Sequence, residues 1–390
     1  MTTHPLLRAR IGISLVFSIN GAIFANLLPR YPQIKESLGM SDTLFGLVVA
    51  CVAVGSLLSS TIPGPLVRRF GARAVYTVGT AGMGAATVAV GLGAHPAVMA
   101  LALLCLGFLD ACVDVAQNVE GIRIENAYGK SLINSMHALW SAGATVGGIT
   151  GTFAASQGVP VWLHMLVVGL IGLGVTVFGG WLARMPQREP LREDHHESMS
   201  LKAVAWKLVL PLALIAMAGS LVEDVGNNWA ALYLNQFGGV SLGAAGVGYV
   251  IMVGSQFVGR WLGDPMVDRF GGVRMARAGG VLIGAGGVLM VAVPTPVTIG
   301  VGFALCGFGC ATLVPGAFAA AERVPGLKEG AGVTVVGWFL RLSFLLMSPL
   351  IGTISDASNL RFGIAVLIPV ALLVIFLAPA LRTRGARQPG

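Results

Sequence analysis

The sequence is dominated by long apolar stretches that are separated by short polar, glycine- and proline-containing segments. Hydrophobic residues make up 55% and charged residues only 11% of the 390 residues, whereas a soluble domain carries about 25% charged residues. A helix needs roughly 20 apolar residues to cross the hydrocarbon core of a bilayer, and each stretch is long enough to do so. The sequence therefore predicts an all-α polytopic membrane protein and leaves no room for a large soluble domain.

Twelve transmembrane helices are predicted. The first six are expected near residues 9–29, 43–66, 74–94, 97–121, 133–156 and 159–183, and the second six near residues 206–234, 241–263, 273–293, 297–321, 330–355 and 362–381. Residues 1–184 and 206–390 are expected to form two six-helix bundles, joined by a cytoplasmic linker at residues 185–205. Arg8 and Arg10 precede an apolar run as in a signal peptide, but no small-residue cleavage site follows, so this first span is predicted to be uncleaved.

The positions of Lys and Arg predict the orientation, because cytoplasmic loops carry an excess of these residues. With both termini cytoplasmic, only Arg30, Lys35 and Arg361 of the 25 basic residues fall outside, while Arg260 and Arg341 lie within spans. We therefore expect a bacterial-type cytoplasmic (inner) membrane protein with both termini inside. The net charge of +8 resides mainly in these loops, so the lipid bilayer is the expected partner and no nucleic acid is expected.

Two segments that lie 200 residues apart are similar in sequence. PGPLVRRFGAR begins at Pro63 and GDPMVDRFGGVR begins at Gly263, so that Arg69 corresponds to Arg269. The chain therefore consists of two related halves. Parallel repeats of this kind place a substrate site near the middle of the membrane, between the halves.

The two repeated segments resemble the signature G-x-x-x-D-R-x-G-R/K of the major facilitator superfamily. The second copy keeps Asp268 and Arg269, whereas the first copy has Arg68 at the position of the acidic residue. The resemblance covers almost the whole chain. It implies two pseudo-symmetric six-helix bundles, alternating access, a cavity lined mainly by the first, fourth, seventh and tenth spans, and a monomer.

Three further motifs resemble the sugar-permease-like branch of that superfamily, which includes the bacterial fucose permeases. They are DVAQN from Asp114, MHALWSAG from Met136 and EDVGNNWAALYL from Glu223. In that branch the last motif typically has an Asp where this chain has Asn228. The resemblance implies a sugar-like or other small polar substrate.

Charged and amide side chains in the fourth span are candidates for function, because a charge at the centre of a transmembrane helix costs about 2.5 to 3.5 kcal/mol. Asp110, Asp114, Gln117 and Asn118 are spaced by three and four residues, which places much of the set on one helix face. Two carboxylates one turn apart repel when both are ionised, so Asp110 and Asp114 are proton-coupling candidates. The alternative is that they pair with a cation elsewhere and lock the bundles.

The seventh span carries a second polar group in the middle of an apolar stretch. Glu223 and Asp224 are further proton-coupling candidates, and Asn227, Asn228 and Trp229 are candidates for substrate binding. Amides bind the hydrogen-bonding groups of sugars or amines, and an indole ring stacks on an apolar substrate face. The alternative is hydrogen bonding between helices.

Isolated polar residues in other spans add to the candidate site. Arg341 either neutralises a carboxylate of the seventh span or holds an anionic substrate through its planar guanidinium. His137 either shuttles a proton or is structural. Trp140 and Asn20 are candidates for substrate stacking and hydrogen bonding, and packing between helices is the alternative for Asn20.

Charged residues at the cytoplasmic ends of the second, fourth and eighth spans are expected to form gating ion pairs. These residues are Arg69, Glu120, Arg123, Glu125, Asp268 and Arg269. The five cysteines all lie in apolar stretches, so neither a disulfide framework nor a metal site is predicted. AYGKS lacks the first glycine of a phosphate-binding loop, so ATP is not the expected energy source and no cofactor or enzyme activity is predicted.

The leading hypothesis is a secondary transporter that couples proton entry to the uptake of a small polar or sugar-like solute. The alternative within transport is proton-driven export of a drug or metabolite. A membrane receptor that does not transport is the third possibility, although such a receptor would normally need a signalling domain. The sequence motifs do not identify the substrate, because side chains from several spans define the pocket.

Overall fold

The computed structural model describes residues 3–93, 95–129, 132–184, 206–324 and 331–382, so the predicted linker at residues 185–205 lies outside the described residues. The described ranges contain helices and turns but no strand. The helices of the first half are α1 (Thr3–Leu27), α2 (Tyr31–Ser37), α3 (Asp42–Leu58), α4 (Pro63–Phe70), α5 (Ala72–Gly91), α6 (Pro96–Tyr128), α7 (Ile133–Ser156) and α8 (Val161–Leu182). Those of the second half are α9 (Trp206–Gly238), α10 (Val247–Phe270), α11 (Gly272–Ala292), α12 (Pro296–Cys310), α13 (Leu313–Glu322), α14 (Ala331–Ala357), α15 (Leu360–Ile364) and α16 (Leu367–Leu377).

Each of the twelve predicted spans corresponds to one helix or to two consecutive helices. Within the described ranges, nine helical segments are long and apolar enough to cross a membrane, and the bent pair α3 and α4, with an angle of 58°, is a possible tenth. The two remaining predicted spans are α7 and α10, which contain polar residues such as His137 and Arg260. These two helices pack against each other between the halves, which reduces their contact with lipid. The prediction of an all-α fold with twelve spans is confirmed.

The sequence repeat is also a repeat of backbone conformation. Gly71 ends α4 with φ 82° and ψ 149°, and Gly271 ends α10 with φ 81° and ψ 147°. A glycine is suited to both positions because a positive φ is strained for other residues. Pro96 and Pro296 begin α6 and α12 at corresponding places, where a proline fits the first helical turn. The 200-residue offset therefore relates two equivalent structures.

The helices pack mainly within their own half. In the first half, α1 packs against α7 and α8, α5 against α6 and α8, and α3 against α6. In the second half, α9 packs against α14, α11 against α12 and α16, and α10 against α12. The halves contact each other mainly through α3 with α14 and through α7 with α10. Under the repeat these two contacts are equivalent, because α3 corresponds to α10 and α7 to α14.

Glycine allows two helices of the first half, α3 and α6, to approach each other closely. A Cβ atom at Gly107 on α6 would lie 2.0 Å from the carbonyl oxygen of Val52 on α3, and one at Gly55 on α3 would lie 1.9 Å from the carbonyl oxygen of Leu104 on α6. Contacts this short do not exist between real atoms, so any larger residue would force the two backbones apart. Close approach through small residues is a usual way for helices to pack in membranes.

We expect Gly107→Ala to destabilise the protein by about 1 to 3 kcal/mol, because the added methyl group overpacks a backbone contact. Thermal unfolding of the purified protein in detergent measures the effect. Gly174→Ala is the matched control, since a Cβ atom there would have no neighbour within 4 Å. Equal unfolding temperatures for the two variants would contradict the assignment of Gly107 to a tight α3–α6 contact.

Candidate functional site

The two halves touch at one end of the molecule. At this end a Cβ atom at Gly46 would lie 2.3 Å from the carbonyl oxygen of Ser348, and one at Gly352 would lie 2.3 Å from that of Asp42. On the opposite side of the same end, a Cβ atom at Gly243 would lie 2.9 Å from the carbonyl oxygen of Ala155. We call this end, where α3 begins and α14 ends, the closed end.

The opposite end, where α4 ends and α5 begins, is called the open end. Arg69, Arg123, Asp268 and Arg269 are exposed there. In the part of the chain that the structure describes, none of these four forms an ion pair with the other half. The halves are therefore in close contact at one end, whereas these four charged residues at the other end form no ion pair between the halves among the described residues.

A cluster of amides and carboxylates lies between α1, α6 and α7 in the first half. Asn20, only 3% exposed, donates from Nδ2 to Asp110 Oδ1 at 3.0 Å. Its Oδ1 accepts from Trp140 Nε1 at 2.9 Å and from Gln117 Nε2 at 3.4 Å. Gln117 Nε2 also donates to Asp114 Oδ1 at 3.2 Å. We call these five residues the amide–carboxylate cluster, and their hydrogen bonds connect three helices.

Two further predicted site residues adjoin this cluster. Asn118 donates from Nδ2 to the main-chain oxygen of Asp114 at 2.8 Å and to its Oδ1 at 3.0 Å. His137 is exposed and packs edge-on against Phe17 at a centroid distance of 5.4 Å. Among the described residues, no cation forms an ion pair with Asp110 or Asp114. The alternative in which these carboxylates lock the bundles through a cation is therefore not seen in this conformation.

A second cluster lies in the other half. It is centred on Ser348, a residue that no sequence motif marks. Ser348 Oγ donates to Asp224 Oδ2 at 2.5 Å and accepts from Asn228 Nδ2 and Trp229 Nε1, both at 3.1 Å. Asn228 Nδ2 also donates to Asp224 Oδ1 at 2.8 Å. We call Asp224, Asn228, Trp229 and Ser348 the serine cluster. A serine in an apolar helix has no distinguishing local pattern, so its role is not predictable from the sequence.

Trp229 does not face an open space in this conformation. Its side chain is fully buried, and its ring packs edge-on against Phe45 of α3 at 5.3 Å, which in turn packs on Tyr31 of α2 at 5.4 Å. The predicted stacking on a substrate therefore has no support here, and the ring instead fills the contact between the halves. Asn227 is half-buried.

Glu223 pairs with a cation from α10 and not with Arg341. Arg260 Nη2 lies 2.5 Å from Glu223 Oε1, and Gln256 Nε2 donates to the same oxygen at 2.5 Å. Among the described residues, no carboxylate forms an ion pair with Arg341. The observed partner of this seventh-span carboxylate is thus Arg260, for which the sequence predicted no role, and not Arg341.

The predicted gating residues make local contacts. Glu120 and Arg123 form an ion pair at 3.5 Å within α6, and Glu125 Oε2 accepts from the backbone N–H of Leu132 at 2.5 Å. The guanidinium groups of Arg69 and Arg269 lie over the rings of the following phenylalanines at 5.2 and 5.4 Å. Gating by these residues therefore stays a prediction for a conformation in which the open end closes.

The closed end is fastened by a carboxylate that caps a helix of the other half. Asp356 at the end of α14 accepts backbone N–H groups of Asp42 at 3.0 Å and Thr43 at 2.8 Å, the first residues of α3. Asp42 itself pairs with Lys35 at 2.9 Å and accepts from the hydroxyl of Ser355. We call Lys35, Asp42, Ser355 and Asp356 the latch. The sequence does not reveal it, because helix caps normally come from the residue just before the helix.

Arg30, which the sequence places outside the spans, is a buried cation. It lies in a short 3-10 turn between α1 and α2 and is only 1% exposed. Its Nη2 donates to the carbonyl oxygen of Val159 at 2.5 Å, in the connection between α7 and α8. The guanidinium of Arg30 is therefore packed inside the closed end.

The sequence of residues 13–267 matches the family model of the Major Facilitator Superfamily. The chain belongs to this superfamily. An uncharacterised MFS-type transporter from Yersinia pestis is 28% identical over 386 residues, covering 97% of this chain and 96% of that protein. The chain is thus a multi-pass membrane transporter of the MFS type and not an enzyme.

Solved transporters share the fold of this MFS chain. A mutant of the nucleoside transporter NupG superposes with a TM-score of 0.75 at 13% identity, covering 97% of this chain and 100% of that one. A D-xylose–proton symporter superposes with a TM-score of 0.73 at 14% identity, and 96% of each chain is covered. These likenesses show the fold alone. The finer resemblance to the fucose-permease branch is not confirmed by them and stays a prediction.

We expect Ser348→Ala to destabilise this MFS protein by about 1 to 3 kcal/mol, because it leaves the buried Trp229 Nε1–H without its acceptor and removes a donor to the buried Asp224. Ser343→Ala is the matched control, since this buried serine of the same helix bonds only to the nearby Leu340 carbonyl. Thermal unfolding in detergent compares the two variants. An equal loss in both would show that the serine cluster contributes nothing beyond packing.

Proposed function

We propose that the chain is a secondary transporter that takes up a small polar solute together with protons by alternating access. The observation that carries the proposal is the amide–carboxylate cluster, in which two carboxylates deep in a transmembrane helix are held by neutral side chains. Membership of the superfamily supports transport. Proton coupling, direction and the kind of substrate belong to the proposal.

Depth in the membrane makes the two carboxylates suitable for carrying protons. Asp110 lies about 21 Å along α6 from Pro96, near the middle of a bilayer. An ionised carboxylate there costs about 2.5 to 3.5 kcal/mol, and binding a proton removes this cost. The amides of Asn20 and Gln117 donate hydrogen bonds that offset part of the cost when the carboxylates are ionised. Both protonation states are thereby accessible, as a proton carrier requires.

The groups around the carboxylates are mostly neutral. Asn20 of α1, whose Nδ2 also lies 3.9 Å from Met83 Sδ of α5, and Trp140 of α7 carry no charge. The titratable neighbours are the two carboxylates themselves and His137 of α7, which is close enough to Asp114 to interact electrostatically. In the proposal, His137, which is exposed in the first turns of α7, passes protons between this pair and the open end.

The closed and open ends correspond to one state of an alternating-access cycle. With the orientation predicted from the basic residues, the latch lies on the outer side and the open end faces the cytoplasm. The proposal then assigns this conformation to the inward-facing state. Proton release from Asp110 or Asp114 into the cytoplasm precedes return of the empty carrier, and opening of the latch admits the next solute.

Replacement of Asp110 or Asp114 by Asn tests proton coupling. In proteoliposomes with an internal pH dye, we expect solute-driven acidification to fall to the background of protein-free liposomes in at least one variant. Exchange of labelled solute between two equal pools should persist, because it requires no net proton movement. Glu36→Gln is the control, since this exposed carboxylate lies in α2. Full acidification in both Asp variants would overturn the assignment.

Replacement of Asp356 by Ala tests the latch. Loss of a helix cap costs about 0.5 to 2 kcal/mol, so the population open at the outer side should rise severalfold. Spin labels at the exposed positions 157 and 241, which belong to different halves, report the separation by pulsed electron resonance. The same labels in Glu36→Ala should show no change. A distance distribution unaltered by Asp356→Ala would show that the latch does not hold the closed end.

A further inference from the structure

We infer that the transported solute carries an acidic group, a carboxylate or a phosphate ester, and that Arg341 binds it. The inference rests on the proposed transport function and adds the chemical class of its substrate. It follows from where Arg341 lies on α14, from the absence of a protein counter-ion among the described residues, and from the neutral and protonatable groups of the first half.

The position of Arg341 on α14 follows from its helical neighbours. Ser348 lies about two turns further along the same face, and Gly352 lies one more turn along. Both positions are at the contact between the halves, where Gly46 and Asp42 of α3 approach α14. Moving from this contact toward the open end, the same face of α14 reaches Arg341, which is exposed. Arg341 therefore lies on the face of α14 that is directed toward the other half.

The other faces of α14 either form a lipid-facing surface or pack within the second half. Leu342, Leu346 and Leu350 form an exposed apolar stripe at spacings of four residues, which is typical of a lipid-facing surface. Val336 and Ser343 are buried within the second half. A guanidinium directed toward lipid would be strongly unfavourable at this depth, because Arg341 is about 24 Å along the helix from Ala357. The side of α14 that faces the other half is the remaining environment.

The carboxylates that would neutralise Arg341 from the same half have other partners. Glu223 is held by Arg260 and Gln256. Asp224 is held by Ser348 and Asn228 and is only 4% exposed. A cation in the middle of the membrane that has no carboxylate partner is suited to binding an anionic solute reversibly. A neutral sugar would leave its charge uncompensated in the occluded state, in which water is excluded.

Charge balance links Arg341 to the proton carriers. A guanidinium binds a carboxylate or phosphate through two parallel hydrogen bonds, which a lysine ammonium does not reproduce. The amide–carboxylate cluster lies at a comparable depth in the other half. Once Asp110 and Asp114 are protonated, the first half contributes neutral donors and acceptors, and Arg341 with the anion forms a neutral pair. In this state the amide–carboxylate cluster and the pair of Arg341 with the anion carry no net charge, which favours movement of proton and anion together.

Matched pairs of solutes test the inference in proteoliposomes with an internal pH dye. Gluconate, glucuronate and glucose 6-phosphate are compared with glucose and sorbitol. We expect acidification with at least one acidic solute and none with the neutral ones. The carboxylates and the phosphate ester distinguish the two kinds of acidic group. Acidification by glucose or sorbitol equal to that by the acids would overturn the inference while leaving proton-coupled uptake intact.

Variants of Arg341 test whether this side chain binds the acidic solute. Arg341→Gln should raise the half-saturating concentration of the acidic solute by about tenfold to a hundredfold, because a hydrogen bond to a charged group is lost. Arg341→Lys should recover part of this loss. Arg274→Gln, at an exposed position of α11, is the control. Unchanged half-saturation in Arg341→Gln would overturn the assignment.

A binding measurement covers the case in which no solute produces acidification. The thermal unfolding temperature of the detergent-solubilised protein is measured with gluconate, glucuronate, glucose 6-phosphate and inorganic phosphate. Stabilisation of the native protein by one of these anions, and its loss in Arg341→Gln, would support the site. In that case entry of the labelled anion without acidification would reject proton coupling and retain Arg341 as the anion-binding residue. Equal responses of the native protein and the variant to all four anions would overturn the inference.

Discussion

The cost of leaving a polar group unsatisfied in the hydrocarbon core of the membrane determines most of this structure. Backbone groups meet it by forming helices, and side chains meet it by pairing within the protein. The hydroxyl of Ser348 donates to Asp224 and accepts from Trp229 and Asn228. Glu223 pairs with Arg260 and accepts a hydrogen bond from Gln256. Asn20 donates to Asp110 and accepts from Trp140. The polar groups that remain without strong partners are then the ones available to a solute or a proton.

The fold was largely predictable because hydropathy, basic-residue placement and the internal repeat act over long stretches of sequence. Each apolar stretch is long enough to span the membrane alone, so the number of spans did not depend on knowing which helices pack together. Pro265 within α10 and the bend between α3 and α4 did not alter that number. The signature around Arg69 and Arg269 likewise occupies equivalent helix ends, since both precede a glycine with positive φ.

The site was less predictable because its geometry depends on contacts between distant segments. Spacing placed Asp114 and Asn118 on one face, and they do share a hydrogen bond. Spacing within one helix did not show that Arg260 reaches Glu223 from α10, nor that Trp229 is buried against Phe45. Those pairings require the relative rotation and depth of two helices, which a single sequence does not specify.

The bonds from the start of α3 to Asp356 differ from an ordinary ion pair, and the difference determines which substitutions would weaken the latch. One partner is the side chain of Asp356 and the other is the peptide backbone at the start of α3. An ordinary ion pair can be preserved by exchanging its acidic and basic side chains. No such exchange can preserve these bonds, because the donors belong to the main chain. Variation at residues 42 and 43 leaves these backbone donors in place, unless proline is introduced, although loss of the Asp42 carboxylate would remove the bond from Ser355. The backbone part of the latch is thus tolerant of sequence drift at the start of α3 and sensitive to loss of the Asp356 carboxylate.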